Sequence, residues 1–153
     1  MTRRDGVRWT GFATILLFAF YTSISVSGHE GHKHSHAPAS AKKLKSPLNA
    51  ETEVIEAGKQ LFNKHCAVCH GPDGQAKTKV AATMKPKPTD LTAKAMHGIT
   101  DGEIYWVVTN GIKTSGMPAY KVKTNDTQRW QMTLYVKHLM GDHPHAGQGG
   151  ASR

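Results

Sequence analysis

The stretch Cys66-Ala67-Val68-Cys69-His70 decides how the rest of this sequence is interpreted. Two cysteines separated by two residues and followed at once by a histidine form the pattern of covalent haem attachment. The thiols can form thioethers with the haem vinyl groups, and the adjacent imidazole can reach the iron from the same short turn. We therefore predict one haem c per chain, bound covalently by Cys66 and Cys69, with His70 as an iron ligand.

The cysteine count limits the other chemistries that this motif could serve. The chain has 153 residues and only 2 cysteines, both in the motif. A structural zinc site normally has four ligands, and the nearest histidine pair in the right pattern, His138 and His143, lies far along the chain. A thioredoxin-like dithiol would need a preceding strand, whereas helical sequence precedes Cys66. A dithiol and an adventitious metal site remain the alternatives to haem.

Composition and charge narrow the class of partner. Apolar residues make up 38% of the chain, which is thin for a large core, and a bound macrocycle would add apolar surface to pack around. The net charge of +9 is compatible with nucleic acid, an anionic membrane or an acidic protein partner. Because no zinc-finger spacing or RNA-binding signature accompanies the charge, we expect no nucleic acid partner.

Residues 1–27 have the order of an export signal, with a positive start, an apolar middle and small residues before a cleavage point. The charges are Arg3, Arg4 and Arg8, the apolar segment runs from Phe12 to Tyr21, and cleavage is predicted before Gly28. The alternative is an uncleaved anchor, since residues 9–26 are mostly apolar and just long enough to cross a bilayer. We predict export to the periplasm of a bacterium, with the chain either soluble or attached to the membrane by this segment.

The segments on either side of the predicted domain lack the residues to build a core. Residues 28–48 are predicted to be a flexible tether rich in histidine and lysine. Its histidines are His29, His32, His34 and His36. Clustered imidazoles can bind copper or zinc weakly, and the alternative is a solvated linker that happens to be histidine-rich. Residues 142–153 are predicted to be a disordered tail.

The folded domain is predicted to cover residues 49–141 and to be all-α, because no segment alternates with the period of a strand. The first helix is predicted to begin at an Asn49 N-cap and to run directly into Cys66. Gly58 lies inside this helix, where glycine costs up to roughly 1 kcal/mol relative to alanine. We therefore expect another element to approach the helix closely at Gly58.

Two further helices have clear boundaries in the sequence. Thr100 and Glu103 form a capping box at the start of one helix, and Gly111 ends it. The last helix is predicted from about Asp126 to Met140, followed by Gly141. Between the motif and the first of these helices the sequence is rich in turn formers, so we predict a long irregular connection.

A second side chain is needed to fill the iron position opposite His70. The candidates are Met117 and the later methionines and histidine Met84, Met96, His97, Met132 and Met140. Methionine on a helix is more often core filler than ligand. Met117 instead follows Gly116 and precedes Pro118 in a loop between two helices, where a thioether can point at an iron. We predict Met117 as the second ligand, the alternative being a methionine packed under that loop.

At this point the chain resembles the class I monohaem cytochromes c of bacteria. The matching features lie in the family's order between Val54 and about Met140: Gly58-x-x-x-Phe62, Cys66-Ala67-Val68-Cys69-His70-Gly71, Pro88-x-Asp90-Leu91, Asn110-Gly111, Gly116-Met117-Pro118-Ala119-Tyr120 and Trp130-x-x-x-Leu134-Tyr135-Val136. The resemblance implies a cytochrome c-like fold of three to five helices around one haem, the first and last crossing at Gly58. It also implies His70 and Met117 as axial ligands. In such proteins a proline carbonyl commonly accepts the other N–H of the ligand histidine, and the resemblance makes Pro86 or Pro88 the candidate acceptor here.

An iron with both axial positions filled suits electron transfer and not catalysis. We therefore predict a periplasmic carrier of single electrons between redox proteins, and no enzyme. The alternatives are a haem subunit of a dehydrogenase or of a terminal reductase or oxidase complex, and an open-iron haem enzyme or sensor. A lysine collar is predicted to dock acidic partner surfaces. Its members are Lys77, Lys79, Lys85, Lys87, Lys94, Lys113, Lys121 and Lys123.

Overall fold

The computed structural model describes residues 36–141 and is helical over this range. Its α-helices are α1 (Thr52–His65), α2 (Ala67–His70), α3 (Lys79–Thr83), α4 (Asp101–Asn110) and α5 (Asp126–Leu139). Short 3-10 segments occur at Ala39–Lys43, Lys94–Met96 and Lys113–Ser115. These described residues contain no strand, and a single isolated bridge joins Ile112 to Met117. The all-α prediction is confirmed.

Helices α1 and α5 cross at Gly58, and this contact organises the core. A Cβ atom at Gly58 would overlap the backbone carbonyl oxygen of Gln131 and would lie 2.9 Å from the Cβ of Tyr135. The rings of Phe62 and Tyr135 pack next to this crossing, with their centroids 5.3 Å apart. The close approach predicted at Gly58 is therefore confirmed, and the absence of a side chain there is what permits it.

Helix α4 packs on α5 and is capped as the sequence predicts. The Glu103 backbone N–H donates to the Thr100 hydroxyl, and the Thr100 N–H donates to the Glu103 carboxylate at 3.0 Å. The helix ends at Gly111, which has a positive φ of 68°. Against α5, the Tyr105 ring stacks on the Trp130 ring with a centroid distance of 4.0 Å. This pair is a direct side-chain contact between α4 and α5.

One helix boundary and one short helix differ from the sequence predictions. The N-cap of α1 is Glu51, without a side-chain cap, and not Asn49, whose amide donates instead to the Glu51 carboxylate at 3.5 Å. Helix α3 was not predicted, because five residues are too few for a periodic pattern. It begins where the Thr78 hydroxyl accepts a hydrogen bond from the Ala81 backbone N–H at 2.9 Å.

The prediction of a flexible tether over residues 28–48 is wrong for Ala39–Lys43, which folds onto α4. Ala41 is only 2% exposed, and the carbonyl of Ala41 and the side chain of Leu44 fill the space beside Gly102. Lys42 lies 3.8 Å from the carboxylate of Glu103. Burial against a glycine that is distant in sequence explains why local composition did not reveal this contact.

The remaining terminal predictions fall outside residues 36–141. These are the export signal or anchor of residues 1–27, the histidines His29, His32 and His34, and the tail of residues 142–153. Within the described range, none of the helices is both long enough and apolar enough to cross a membrane.

Candidate cofactor site

The motif occupies a tight turn at the junction of α1 and α2. The Cys66 backbone N–H still donates to the α1 carbonyl of Phe62 at 2.7 Å, while the Cys66 carbonyl accepts from the His70 N–H at 2.9 Å. Cys66 thus ends one helix and begins the next, which brings both sulfurs and the imidazole to one short piece of backbone. Cys66 and Cys69 are free thiols and form no disulfide with each other.

One nitrogen of His70 is held by the backbone of the following loop. Its Nδ1 lies 3.0 Å from the carbonyl oxygen of Thr89. Because a carbonyl can only accept, Nδ1 carries the proton and Nε2 keeps its lone pair for a metal. Burial lowers the pKa of His70, against a smaller opposing effect of the Thr89 carbonyl, so the neutral imidazole is favoured.

The expectation that a Pro86 or Pro88 carbonyl accepts this N–H is wrong. The acceptor is the next residue, Thr89, because the chain is fixed just beyond it. The Leu91 N–H donates to the carbonyl of Gly74 at 2.8 Å, which ties the end of this connection to the loop that follows the motif. Sequence distance alone did not show which carbonyl this tie would bring to His70.

Met117 is carried by a loop that is closed on itself and fastened to α4. The Ile112 N–H donates to the Met117 carbonyl at 2.9 Å, and the Met117 N–H donates to the Ile112 carbonyl at 3.1 Å. Gly116 has a left-handed backbone, and a Cβ at Gly111 would lie 2.7 Å from the Ala119 nitrogen. Both glycines are therefore required by the path of this loop.

Tyr120 connects the Met117 loop to the motif. Its hydroxyl donates to the backbone carbonyl of His65 at 2.6 Å, one residue before Cys66. Its own backbone N–H donates to the Val108 carbonyl of α4 at 3.1 Å. Burial raises the pKa of Tyr120 to about 12, so the phenol stays protonated and remains a donor. In the sequence, Tyr120 stands out only as the last residue of the pattern Gly116-Met117-Pro118-Ala119-Tyr120.

Two neighbouring cavities, of about 360 Å³ and 250 Å³, open beside the motif. Six residues line both of them: His36, Cys66, His70, Thr89, Ile112 and Met117. The larger cavity is otherwise mostly apolar, with walls that include Phe62, Leu91, Met96, Ile99, Ile104, Val107, Val108 and Val136. An apolar chamber bordered by the Cys66 thiol, the His70 imidazole and the Met117 thioether fits a covalently held haem. In the smaller cavity Cys69 joins this border.

The other candidate ligands are distributed unevenly around these cavities. Met84 borders the smaller cavity and Met96 the larger. Met132 and Met140 belong to the buried core and line neither cavity, as expected of methionine on a helix. His97 is exposed and also lines neither. Glu103 and His36 also border the larger cavity, although the sequence predicts only a helix cap for Glu103 and a place in the tether for His36.

Burial and charge distinguish the inner and outer parts of the site. Burial, with a smaller contribution from Cys69, raises the pKa of the Cys66 thiol to about 12. All eight collar lysines are exposed, and Lys87 also borders the smaller cavity. The Lys123 ammonium lies 5.8 Å from the centre of the Tyr120 ring. Within residues 36–141, no three His, Cys, Asp or Glu side chains gather into a metal site of their own.

The chain belongs to the cytochrome c family, whose model matches residues 55–140. Membership implies covalently bound haem c, and Cys66 and Cys69 have the spacing of its attachment motif. The cytochrome c-like fold, the cofactor and the resemblance stated from the sequence are thereby confirmed.

Two relatives of this chain are longer proteins that contain a similar segment. The chain is 29% identical over 100 residues to the quinohemoprotein alcohol dehydrogenase ADH IIB of Pseudomonas putida, a match that spans 65% of this chain and 13% of the dehydrogenase. It is 34% identical over 88 residues to the cbb3-type cytochrome c oxidase subunit FixPc of Rhizobium leguminosarum bv. viciae, spanning 58% of this chain and 29% of the subunit.

A solved structure gives the same picture. The chain resembles one from the Kuenenia stuttgartiensis reducing HAO-like protein complex with a TM-score of 0.55 and 29% identity, over 64% of this chain and 48% of that one. The chain spans less than half of the length of each of these relatives.

Proposed function

We propose that this protein carries single electrons between redox partner proteins in the periplasm, with His70 and Met117 as the axial ligands of its haem and no substrate of its own. The observation that carries the proposal is that these two side chains border the same pair of cavities beside the attachment cysteines. The hydrogen bond from Nδ1 to the Thr89 carbonyl supports the assignment of Nε2 as the iron-binding atom of His70.

Each residue has a definite task in this proposal. Haem c, when bound, supplies the iron that accepts and releases the electron. His70 binds as a neutral imidazole whose orientation is set by Thr89, and Met117 presents a thioether that favours the reduced state and raises the potential. With both positions filled by the chain, no position remains for a substrate, which supports a carrier and not an enzyme.

The apolar walls contribute by excluding water. The larger cavity is bordered by buried side chains from α1, from the connection before α4 and from α4 itself, namely Phe62, Leu91, Ile104 and Val108. A dry, low-dielectric setting disfavours the more highly charged oxidised iron, so these walls act in the same direction as the thioether. The chain thus sets the potential through ligand identity and burial together.

The lysine collar is proposed as the docking surface. Its lysines are exposed, and between the motif and α4 five of them stand against two acids, Asp73 and Asp90. The Asp73 carboxylate accepts from the Gln75 N–H at 3.1 Å, and that of Asp90 accepts from the Thr92 N–H at 2.8 Å. An excess of positive charge here would steer partners with acidic surfaces into transient contact.

A second candidate is a haem-bearing subunit fixed within a dehydrogenase or a terminal oxidase or reductase complex. It is favoured by the relatives, in which the matching segment is 13% of a dehydrogenase and 29% of an oxidase subunit. Co-purification of the tagged chain with a large catalytic partner in high salt would support this candidate. Recovery as a free small protein under the same conditions would support the diffusing carrier.

The assignment of Met117 as the second ligand is tested by replacing single methionines with alanine in the haem-loaded full-length protein. We expect Met117→Ala to abolish the long-wavelength absorption band of ferric iron bound to a thioether and to lower the reduction potential. Met84→Ala is the matched control, because Met84 also borders the smaller cavity and should leave both readouts unchanged. Carbon monoxide binding by the reduced wild-type protein would contradict the proposal and favour an open-iron enzyme or sensor.

A further inference from the structure

His36 occupies an unexpected position for a residue of the tether. It borders both cavities, together with His70 and Met117. Among the other histidines of residues 36–141, His65 borders only the smaller cavity, and His97 and His138 border neither. His36 is exposed, as befits a side chain at the edge of a cavity. Apart from His70, it is the one described imidazole shared by the two cavities.

The segment behind His36 is anchored, so its place is not that of a loose chain end. Two residues further on, the Pro38 carbonyl accepts from the Ala41 N–H at 2.9 Å, which begins the short 3-10 segment. Ala41 is buried beside Gly102, and Lys42 pairs with Glu103, which itself borders the larger cavity. The contact with α4 therefore delivers His36 to the side of the domain where the cavities open.

The ligand chemistry of imidazole and thioether suggests a role for His36 at this position. Imidazole is a good ligand for iron, whereas a thioether is a soft and weak one that favours the reduced state. An imidazole that borders the same cavities as a thioether can therefore compete for the same coordination position. The exchange would keep the iron closed but would lower its reduction potential, because the ligand that raises the potential would be lost.

We propose that His36 is a reserve axial ligand, which takes the position of Met117 when the thioether is lost or displaced. The proposal rests on the proposed His70 and Met117 pair and adds a second state of the same site. That state would have two histidine ligands and a lower potential. The N-terminal segment is then part of the redox site and not only a tether.

The test compares spin state and carbon monoxide binding in haem-loaded variants of the full-length protein. For Met117→Ala we expect a low-spin spectrum and slow carbon monoxide binding to the reduced form. The double variant Met117→Ala/His36→Ala should be high-spin in the ferric form and bind carbon monoxide faster. The rate of carbon monoxide binding should be roughly tenfold higher in the double variant if His36 occupies the iron of Met117→Ala for about 90% of the time.

Two control variants identify the histidine that binds. Met117→Ala/His65→Ala should behave like Met117→Ala, since His65 borders only the smaller cavity. A variant that combines Met117→Ala with alanine at His29, His32 and His34 should do the same. Equal spin state and carbon monoxide rates in Met117→Ala and Met117→Ala/His36→Ala would overturn the proposal, as would opening of the iron only when the other histidines are removed.

The single variant His36→Ala separates this proposal from the proposed function. We expect its spectrum and potential to match those of the wild type, because Met117 fills the position at rest. A changed spectrum would make His36 the resting ligand and would overturn both proposals. A wild-type protein with the thioether band, together with an open iron in Met117→Ala, would uphold the proposed function and overturn the reserve role alone.

Discussion

The Tyr120 hydroxyl donates to the His65 backbone carbonyl at 2.6 Å and so joins the loop of one candidate iron ligand to the helix that leads into the other. Residues 65 and 120 are far apart in the sequence, but each stands within a few residues of its ligand, His70 or Met117. This bond therefore links the two halves of the site without involving the cofactor.

Replacement of Tyr120 by phenylalanine tests the importance of that link. Removal of the hydroxyl leaves the His65 carbonyl without this donor, and we expect a loss of about 1 kcal/mol in the free energy of unfolding. The Met117 loop should also become easier to displace, so the thioether absorption band should disappear at lower denaturant. Guanidinium titrations followed at this band and by circular dichroism measure the two effects.

Tyr105→Phe is the matched control, because the Tyr105 hydroxyl bonds to Asp126 on α5 and not to the ligand loop. This variant should lower the free energy of unfolding, but the thioether band and the circular dichroism signal should still be lost at the same denaturant concentration. Equal behaviour of the two tyrosine variants would show that Tyr120 has no special connection with the ligand.

The α1 and α5 crossing should not tolerate a side chain at Gly58. Alanine would gain up to about 1 kcal/mol in helix propensity, but overpacking costs about 1–3 kcal/mol. Because the overlap is with the backbone of Gln131, which cannot rotate away, we expect the overpacking cost to lie at the upper end of that range and the net loss to be about 2 kcal/mol. Chemical denaturation measures it. Gln60→Ala, on the exposed face of α1, should stay within about 0.5 kcal/mol of the wild type.

The lysine collar predicts how the electron-transfer rate depends on salt. At an electrode coated with carboxylates, the rate should fall as ionic strength rises, since the screening length is only about 10 Å at 0.1 M salt. Lys87→Glu should reduce the low-salt rate more than Lys59→Glu, because Lys87 borders the smaller cavity whereas Lys59 lies on α1 next to Glu56. A rate that does not change with salt would exclude electrostatic docking.

The environment of Asp126 leads us to expect that the free energy of unfolding depends on pH in a specific way. The hydrogen bond from the Tyr105 hydroxyl, with the Arg129 guanidinium adding to it, lowers the pKa of this carboxyl below its usual 3.8. A lowered folded pKa means that the carboxylate stabilises the fold above pH 3.8 and that this contribution is lost as the pH falls through the folded value.

The measurement is the free energy of unfolding of the wild type and of Asp126→Asn from neutral to acidic pH. We expect the variant to be less stable at neutral pH, with a difference that shrinks in acid. In Tyr105→Phe, NMR titration should show a higher pKa for Asp126. A difference between wild type and Asp126→Asn that stays constant with pH would contradict the assignment.

Features governed by neighbouring residues were predictable from the sequence. The Thr100 and Glu103 capping box needs only side chains three residues apart, and the exit of α4 at Gly111 needs only a residue that accepts a positive φ. Gly58 was also informative, because glycine within a helix is costly unless something comes close. The attachment motif belongs to this class, since its chemistry lies in five consecutive residues.

Features that depend on distant parts of the chain were not predictable. The acceptor for His70 is Thr89 because Leu91 is tied to Gly74, and the order of the residues does not reveal that tie. Ala39–Lys43 is composed like a linker, and its burial depends on Gly102, about sixty residues further on. For the same reason His36 could not be related to the site before the fold was known.

The closed loop around Met117 has a consequence for speed. Four backbone hydrogen bonds fix the loop that carries the Met117 sulfur. Two join Ile112 to Met117, and two more run from Tyr120 and Lys121 to carbonyls of α4. An electron crosses quickly only where few atoms must shift as the charge changes, so a fastened loop lowers the reorganisation energy of the proposed carrier. Gly111 and Gly116, which allow the loop to take this path, therefore affect the rate of electron transfer although neither binds the haem.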